Sequence, residues 1–536
     1  MTTCVTNSRT TFPKRQNHGK PRSRTGCRTC RQRHIKCDES PGQCRNCVST
    51  GRRCDGYDIT RLPQSRAIQL GPLALPAPMA VGVHSSLNSD ERRSILYFQH
   101  CTVSNLASYY DSPVWQNLTL QIGHAEPAVC HAVIALSAVH RYSQVNKGTK
   151  QPLRQNIWHD FALEQLNRAF GQLKRRQRSR DPEFIETVLI CCLIFVTVEL
   201  SLGQYNHAFR HLQSGLQMLK TYRASLAATG DRADLEPSLA DAFANLEGQC
   251  CFFGVSPVLT SAGDAAQPPL EFKSIVEARR LIDRLCTAVM GTARKRALGQ
   301  PVPSIERALW ARLSELYDML GDFRKLHTHL LSTKEQRGLH LLQMASVTLK
   351  ICLYTIPKPV DDPNSSQLAD SFRQMITLAE TFSEEKGDLP HICMDGGVIP
   401  ALFLAARRSS EEYVRTRATE MLESCSHQEG PWNATLLARV VREDIAIKRW
   451  LRSLSAADFT PGGKLLDPAL VSAANGFIMI FKDRCRVRMP FKVNGVELEW
   501  WFRLDEDTPG QLGTPGSNPC TAGWHQLLPN GDHFTV

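Results

Sequence analysis

The chain has 536 residues, of which 42% are hydrophobic and 22% charged, with 19 cysteines and a formal net charge of +12. These values exclude a wholly disordered chain, a collagen-like chain and a small disulfide-stapled scaffold, and the length allows more than one domain. Residues 1–66 contain 15 Lys and Arg against 4 Asp and Glu, whereas residues 67–536 carry a net charge of only +1. A basic segment on a neutral body is typical of a protein that binds a polyanion.

The N-terminal segment, residues 1–25, is expected to be a basic disordered arm. It has no apolar core of the kind a secretory signal needs, so we expect an intracellular protein with reduced cysteines. Its basic residues form two groups that are candidates for a nuclear import signal: Lys14, Arg15, Lys20, Arg22 and Arg24.

The cysteines that follow are arranged as one unit written twice. The spacing C-x2-C-x6-C occurs at Cys27, Cys30 and Cys37, and again, offset by 17 residues, at Cys44, Cys47 and Cys54. In a reducing compartment, clustered thiols at regular spacing indicate a metal site rather than disulfide bonds. Six sulfurs can coordinate two tetrahedral zinc ions if two of the sulfurs bridge the ions. Ile35 and Val48 are the candidates for an apolar core, so metal is expected to supply the folding free energy. The repeat predicts a pseudo-twofold arrangement.

Basic side chains surround this motif. The first half has five of them within nine residues that contain no acid, on a predicted short helical turn: Arg28, Arg31, Arg33, His34 and Lys36. Such a turn can enter the major groove, where Arg and Lys donate to guanine O6 and N7. The second half has three, in surroundings better suited to phosphate contacts: Arg45, Arg52 and Arg53. We expect all eight to bind DNA.

Residues 26–57 resemble the binuclear zinc cluster of fungal transcription factors. The likeness covers all six cysteines, the basic run before Cys37, the Cys37-Asp38 step, Pro41 and the ending from Gly51 to Cys54. The resemblance implies two Zn²⁺ ions per chain, with Cys27 and Cys44 bridging them. It also implies a nuclear regulator of transcription by RNA polymerase II that binds double-stranded DNA at CGG-like triplets.

The resemblance also suggests which positions face the bases. In the family these lie three and four residues before the third cysteine, which here are His34 and Arg33. Many members have Lys where His34 stands, and a neutral imidazole offers one donor where an ammonium offers three. Lys36 is assigned a bridging role between cluster and groove.

Residues 58–89 are expected to form a linker. They contain four prolines and two glycines, so no uninterrupted heptad run can form there. Many relatives of the family pair through a coiled coil at this place. We expect instead a monomer, or a dimer formed through the large domain.

Residues 90–505 are expected to form a large all-α helical array. The predicted fold class is therefore mostly α, with a small metal-stabilised DNA-binding domain, a flexible linker and this array, which ends in a β-hairpin. Val188–Val198 is interpreted as part of a buried helix because it is too short to cross a bilayer, and no membrane partner is expected. The apolar period predicts helices around 156–173, 183–200, 203–221, 271–297, 305–331, 334–355, 367–385, 409–426 and 432–454.

Three stretches of this array resemble the regulatory domain found behind the cluster in one branch of the same family. They are ERRSILYFQHCTVSNLASYY, AEPAVCHAVIALSAVH and LGQYNHAFRHLQSGLQMLK. The resemblance implies regulation through co-regulators or a small-molecule effector.

A hairpin is predicted over residues 484–504. Arg484–Val493 and Val496–Leu504 flank Asn494-Gly495, a strong two-residue turn signal. That turn places Val493 opposite Val496 and Lys492 opposite Glu497, and it gives four further pairs: Phe491–Leu498, Met489–Trp500, Val487–Phe502 and Arg488–Trp501. We expect the hairpin to pack on the helices, with Arg488 and Trp501 as a cation and ring pair. Residues 506–536 are expected to be disordered.

Two other functions stay open on the sequence. A metal-responsive protein that stores or senses an ion would share the cysteines, since thiolate clusters also bind Cu(I), but it does not need the basic run. An enzyme with a DNA-targeting head is the weaker alternative. No phosphate loop, nucleophile elbow or dinucleotide fingerprint occurs, and His207 and His211 lack an accompanying HExxH pattern, so we expect no enzyme.

Overall fold

The computed structural model describes most of the region from residue 26 to residue 513. The described ranges are 26–38, 40, 43–56, 87–145, 157–179, 181, 184–229, 235–259, 271–297, 299–327, 329–355, 368–384, 389–453, 479–480, 486–493, 496–503 and 511–513. They fall into two units, the first made of Met1–Val81 and Ser86–Arg93 and the second of the remaining residues. The expected arm, the expected linker up to residue 86 and the expected tail beyond Gly513 lie outside these ranges.

Between residues 26 and 56 the described part of the first unit forms two short helices, α1 (Arg28–Gln32) and α2 (Arg45–Val48). Its buried interior consists of five cysteines: Cys27, Cys30, Cys37, Cys44 and Cys47. The expectation that Ile35 and Val48 could form a core is wrong, because they are 41% and 55% exposed. About thirty residues around two one-turn helices cannot enclose apolar side chains as well as sulfurs, so the sulfurs occupy the interior.

The second unit is the helical array. It opens with α3 (Ser89–Tyr97), whose first residues belong to the other unit, and continues through α4 (Val103–Leu106), α5 (Thr119–Ala125) and α6 (Pro127–Val145). Two π-helical turns, Phe98–Thr102 and Val114–Leu118, interrupt this part. Pro127 opens α6, which is a favourable position because a first-turn proline loses no helical hydrogen bond.

Eleven more helices follow in the part of the chain that the structure describes. Nine of them were predicted to within a few residues, except at the C-terminal end of α9. They are α7 (Ile157–Arg175), α8 (Phe184–Ser201), α9 (Tyr205–Thr229), α10 (Pro237–Cys250), α11 (Ile275–Ala297), α12 (Pro303–His327), α13 (Thr333–Thr355), α14 (Ala369–Glu384), α15 (Ile399–Arg408), α16 (Glu412–Ser424) and α17 (Ala434–Ser453). The predictions missed α10 and α15. Neighbouring helices pack in succession, as α6 does on α7 and α8, and α13 on α11 and α12.

Helix α8 is apolar on all sides. Its mean hydropathy of 2.2 and its 18 residues meet the length and composition of a membrane span. In the structure its residues from Leu189 to Leu200 are buried, and it packs against α6 and α9. This is the environment of a core helix, as expected for Val188–Val198.

A three-stranded sheet that was not predicted lies among the last helices. It consists of β1 (Ile392–Cys393), β2 (Gln428–Glu429) and β3 (Trp432–Asn433), with β1 parallel and β3 antiparallel to β2. Strands of two residues have no readable alternation in a sequence. The sheet places Glu429 and Trp432 next to the start of α15.

The predicted hairpin is present as β5 (Arg486–Val493) and β6 (Val496–Arg503), and all six predicted residue pairs have the predicted register. β4 (Met479–Ile480) and β7 (Gln511–Gly513) flank it in a four-stranded antiparallel sheet. The strand β7 lies within residues 506–536, so the expectation of disorder is wrong for this short part. We also expected the hairpin to pack on the helices. The side chains that would make these contacts lie outside the described part of the structure.

Candidate metal centre and nucleic-acid interface

The thiols of the first unit converge on one small space. The Sγ atoms of Cys27 and Cys44 lie 3.6 Å apart, and those of Cys30 and Cys44 lie 3.4 Å apart. Disulfide sulfurs would be about 2.05 Å apart, whereas tetrahedral zinc with Zn–S bonds of about 2.3 Å sets sulfurs about 3.8 Å apart. The separations therefore fit metal coordination, and the six cysteines of the motif are all free thiols.

The sulfurs form two groups of four that share two members. The first group is Cys27, Cys30, Cys37 and Cys44, and the second is Cys27, Cys44, Cys47 and Cys54. Within each group the Sγ atoms all lie within 4.8 Å of one another. Each group suits one tetrahedral zinc ion, and Cys27 and Cys44 are common to both.

The backbone of the two halves repeats the same hydrogen bonds to sulfur. Cys27 is the N-cap of α1 and its Sγ accepts from the N–H of Cys30, at 3.3 Å. Cys44 caps α2 and accepts from Cys47 in the same way, also at 3.3 Å. Each helix start therefore directs N–H groups at a sulfur that carries negative charge when it binds metal. The predicted pseudo-twofold arrangement is confirmed.

Without a cation, Cys27, Cys30 and Cys44 hold their protons. Burial raises the pKa of Cys30 to about 12 and raises the pKa values of Cys27 and Cys44 well above the ordinary range of a thiol. Closely packed thiolates would repel one another in the absence of positive charge. Two divalent ions supply that charge, so metal binding and deprotonation are coupled here.

An aspartate follows the third cysteine of each half and contacts the other half. Asp38 accepts from the backbone N–H groups of Arg45 (3.1 Å) and Asn46 (3.4 Å) at the start of α2. Burial raises the pKa of Asp38, but hydrogen bonds from Ser40 and these N–H groups outweigh it, so the pKa lies below its usual range. Asp55 has the matching position and accepts from Thr29 Oγ1 of α1, at 3.0 Å.

These contacts are functional features that the sequence analysis missed. The signal was present, because Cys37-Asp38 and Cys54-Asp55 are the same step 17 residues apart. The two aspartates connect the halves around the metal positions.

The turn after each helix also repeats. The backbone N–H of Ile35 donates to the carbonyl of Cys30, and the N–H of Arg52 donates to the carbonyl of Cys47. Both bonds span five residues, as in a Schellman helix end, which requires a left-handed residue just before the donor. That residue is His34 (φ +55°) in the first half and Gly51 (φ +63°) in the second.

The basic residues predicted to bind DNA lie around this centre, with differing exposure. Six are exposed: Arg28, His34, Lys36, Arg45, Arg52 and Arg53. Arg31 and Arg33 are half-buried. Arg33 Nη1 donates to the carbonyl of Asn46 (3.2 Å) and to Thr50 Oγ1 (3.1 Å), and thus connects the two halves. The five import candidates, from Lys14 to Arg24, lie outside the described residues.

Two family profiles match this chain. That of the fungal Zn(2)-Cys(6) binuclear cluster domain matches residues 25–63, and that of the fungal specific transcription factor domain matches residues 94–247. The chain carries both domains of the fungal Zn2Cys6 transcription regulators. The cluster domain binds two zinc ions, and the sulfur geometry above fits them.

Proteins similar to this chain are named as regulators of transcription. The chain is 27% identical to the aspercryptin biosynthesis cluster-specific transcription regulator of Emericella nidulans over 67% of its own length and 64% of the relative. It is 28% identical to a transcription regulator of Purpureocillium lilacinum, over 36% and 48% of the two chains. It is 24% identical to arginine metabolism regulation protein II of Saccharomyces cerevisiae, over 42% and 23%. The chain thus spans less than two thirds of each of these relatives, and no solved structure matches it.

Polar residues of the second unit that could be taken for catalytic groups have structural contacts. His211 Nδ1 lies 2.8 Å from Glu199, and Glu247 accepts from the backbone N–H groups of Val258 and Leu259. The adjacent pairs Cys191-Cys192 and Cys250-Cys251 are buried, and burial raises the pKa of Cys192 to about 12, which is typical of an inert structural thiol.

Proposed function

We propose that this chain is a sequence-specific DNA-binding transcription factor that acts in the nucleus on genes transcribed by RNA polymerase II. The zinc-loaded first unit binds double-stranded DNA, and the helical unit responds to co-regulators or to a small-molecule effector. The observation that carries the proposal is the set of exposed basic side chains on and after α1, held by backbone contacts to the metal-binding cysteines.

Within this proposal, Cys27 and Cys44 bridge the two zinc ions. The other four cysteines, Cys30, Cys37, Cys47 and Cys54, each bind one ion. The support is that the first two belong to both four-sulfur groups. A bridging thiolate serves two ions, so its loss should release both.

The proposed reading element is the segment from Arg28 to Lys36. His34 and Lys36 are exposed on the turn after α1 and donate to the acceptor edge of guanine in CGG-like triplets. Arg33 uses one nitrogen to hold the second half of the cluster, and a guanidinium has five N–H donors, so it can contact DNA as well. Arg31 is proposed to assist beside it, while Arg45, Arg52 and Arg53 contact phosphates.

The test is duplex binding by the zinc-loaded full chain. We expect tighter binding to a duplex with CGG triplets than to a scrambled duplex, and Lys36→Ala and His34→Ala should each reduce that preference about tenfold while zinc content stays unchanged. Gln32→Ala, an uncharged exposed change on α1, and Lys325→Ala, which removes an exposed charge from α12, serve as controls. Equal affinity for both duplexes, or variants that bind like the starting protein, would refute sequence-specific reading.

A further inference from the structure

The helical unit encloses a cavity of about 80 Å³. Helices α10, α11 and α13 line it, together with the loop before α15 and Trp432 of β3. Most of the wall is apolar, from side chains such as Leu342 and Leu349, and Phe252 and Tyr110 add two further aromatic rings. Neither the zinc centre nor the proposed DNA contacts use it.

One part of the wall carries charge. Arg279 of α11 forms an ion pair with Asp395, and its Nε lies 3.9 Å from Asp283. Two carboxylates and one guanidinium leave one negative charge uncompensated within this cluster. Burial raises the pKa of Asp283 to about 6, and it also raises the pKa of Asp395, as expected where a carboxylate has little water around it.

A buried acceptor lies beside this cluster. Gln249 is 8% exposed, and its Nε2 donates to Asn245 Oδ1 and to the carbonyl of Met394, both at 2.8 Å. Both partners are acceptors, so the orientation of the amide is determined. Its Oε1 lies between two glycines: an added Cβ would be 3.5 Å away on Gly396, which lines the cavity, and 2.8 Å away on Gly430, which is not among the lining residues. Among the described residues Oε1 has no hydrogen-bond donor, although such an atom costs about 1–3 kcal/mol when left unsatisfied.

The acceptor and the charge are close neighbours. Asn245 accepts from Gln249 and donates through Nδ2 to Asp283 Oδ1, at 3.0 Å, so one side chain connects them. Trp432 Nε1, also buried and lining the cavity, has no acceptor among the described residues. The wall therefore offers a free acceptor next to negative charge, an aromatic face and an indole donor.

We propose that this cavity binds a small organic amine. Its ammonium donates to Gln249 Oε1 beside Asp283, and its short apolar body lies against the leucine side chains of α13. Tryptophan is the aromatic ring that favours a nearby cation most, and a hydroxyl or carbonyl on the amine would accept from Trp432 Nε1. The inference deepens the proposed function, since it gives the helical unit an effector class. An anion is disfavoured, because two carboxylates face one guanidinium in this wall.

The experiment compares three probes of nearly equal shape: isobutylammonium, isobutanol and isobutyrate. Thermal unfolding of the zinc-loaded full chain is followed at equal probe concentrations. We expect isobutylammonium to raise the midpoint of the helical unit by roughly 2 °C near saturation, isobutanol to raise it less and isobutyrate not at all. No shift with the amine, as for a cavity that holds only water, or an equal shift with isobutyrate, overturns the proposal.

Three variants localise the effect. Gln249→Met keeps the volume but removes the acceptor, and it should weaken amine binding at least tenfold. Asp283→Asn should abolish the preference for the amine over the alcohol, and Ala345→Leu, which fills the cavity, should abolish binding of both. Gln121→Met, an exposed change on α5, is the matched control and should bind like the starting protein.

Circular dichroism establishes that each variant is folded. If Gln249→Met does not fold, Ala345→Leu and Asp283→Asn still decide the question. Unchanged amine binding in the folded variants would contradict the proposal. Duplex affinity, measured on the same preparations without amine, separates failure of this inference from failure of the DNA-binding proposal.

Discussion

His34 and Gly51 have the same left-handed backbone conformation at equivalent points of the two halves, 17 residues apart, with φ angles of +55° and +63°. Each precedes the residue whose N–H closes its helix, Ile35 after α1 and Arg52 after α2. His34 therefore has two roles to reconcile. It ends the helix, and it presents an imidazole at the proposed DNA surface.

This relationship predicts opposite effects on stability. Gly51→Ala should destabilise the zinc-loaded unit by about 1 kcal/mol, because a Cβ is disfavoured at positive φ even though no atom lies within 4 Å of it. His34→Gly should stabilise the same unit by up to about 1 kcal/mol, and it should weaken the preference for the CGG duplex over the scrambled duplex. Chelator competition for zinc measures both effects. Gly51→Ala without any loss of zinc retention would contradict the argument.

A second prediction concerns Asp38. Asp38→Ala removes the acceptor for two N–H groups at the start of α2, and it should lower resistance to chelator by about 1–2 kcal/mol, as for loss of a helix cap. Gln43→Ala, exposed and one residue before Cys44, is the control. Equal zinc retention in both variants would show that the aspartate does not support the cluster.

A third prediction separates base contacts from phosphate contacts. Arg52→Ala should weaken binding to CGG and scrambled duplexes equally, and it should reduce the dependence of log K on log salt by about 1. Lys36→Ala should instead act mainly on the CGG duplex. Binding isotherms at several salt concentrations distinguish them. A loss of sequence preference in Arg52→Ala would reassign that residue to base reading.

A fourth prediction concerns the helical unit at low pH. His140 is buried, and its Nδ1 lies 3.0 Å from Thr102 Oγ1. Burial, together with nearby His391, lowers its pKa from 6.5 to about 4. The folded state thus binds this proton less readily than the unfolded state does. The unfolding free energy is therefore highest above pH 6.5 and falls as the pH approaches 4. At pH 4.5 the neutral His140 accounts for a loss of about 2–3 kcal/mol.

His140→Gln should flatten this part of the pH profile. The measurement is the unfolding free energy between pH 7 and pH 4.5 by denaturant titration. His159→Gln, on the half-buried His159, controls for loss of any histidine. The same slope in His140→Gln and the starting protein would rule out His140 as the source.

A fifth prediction concerns Glu429, a fully buried residue of β2. Its carboxylate accepts from the N–H groups of Gly397 (2.8 Å), Val398 (3.1 Å) and Ile399 (3.0 Å), and from His427 Nε2 (2.9 Å). It therefore supports the start of α15 and the glycine wall of the cavity. Glu429→Gln should cost about 2–3 kcal/mol of unfolding free energy, against less than about 0.5 for the exposed Glu315→Gln. A cost as small as that of the control would contradict the assigned role.

Much of the fold could be predicted because its signals are local. Apolar periods of 3.6 residues gave α7 and α11, and Asn494-Gly495 gave the register of the hairpin through Val493 and Val496. The helix α10 was missed, and so was the sheet around Glu429, whose strands contact partners far along the chain. Long-range pairing of this kind leaves no period in the sequence.

The candidate site was predictable for a different reason. Metal coordination needs specific ligand types at restricted spacings, so the six cysteines can be identified as a metal site from the sequence alone. The contacts that tie the halves together, such as Arg33 to Asn46 and Asp55 to Thr29, depend on how the turns fold over the sulfurs. The amine cavity, too, required side chains from α10 and α11 to be brought together.

The most direct test measures zinc content and duplex affinity together while a chelator is titrated into the full chain. We predict two zinc ions per chain at the start, loss of CGG-duplex binding as they are removed, and recovery when Zn²⁺ is returned. Cys27→Ser should lose both zinc ions to the chelator, whereas Cys30→Ser should lose one ion and hold the other against higher chelator concentrations. A chain that contains no zinc, or one whose DNA affinity is unchanged after zinc is removed, would contradict the account.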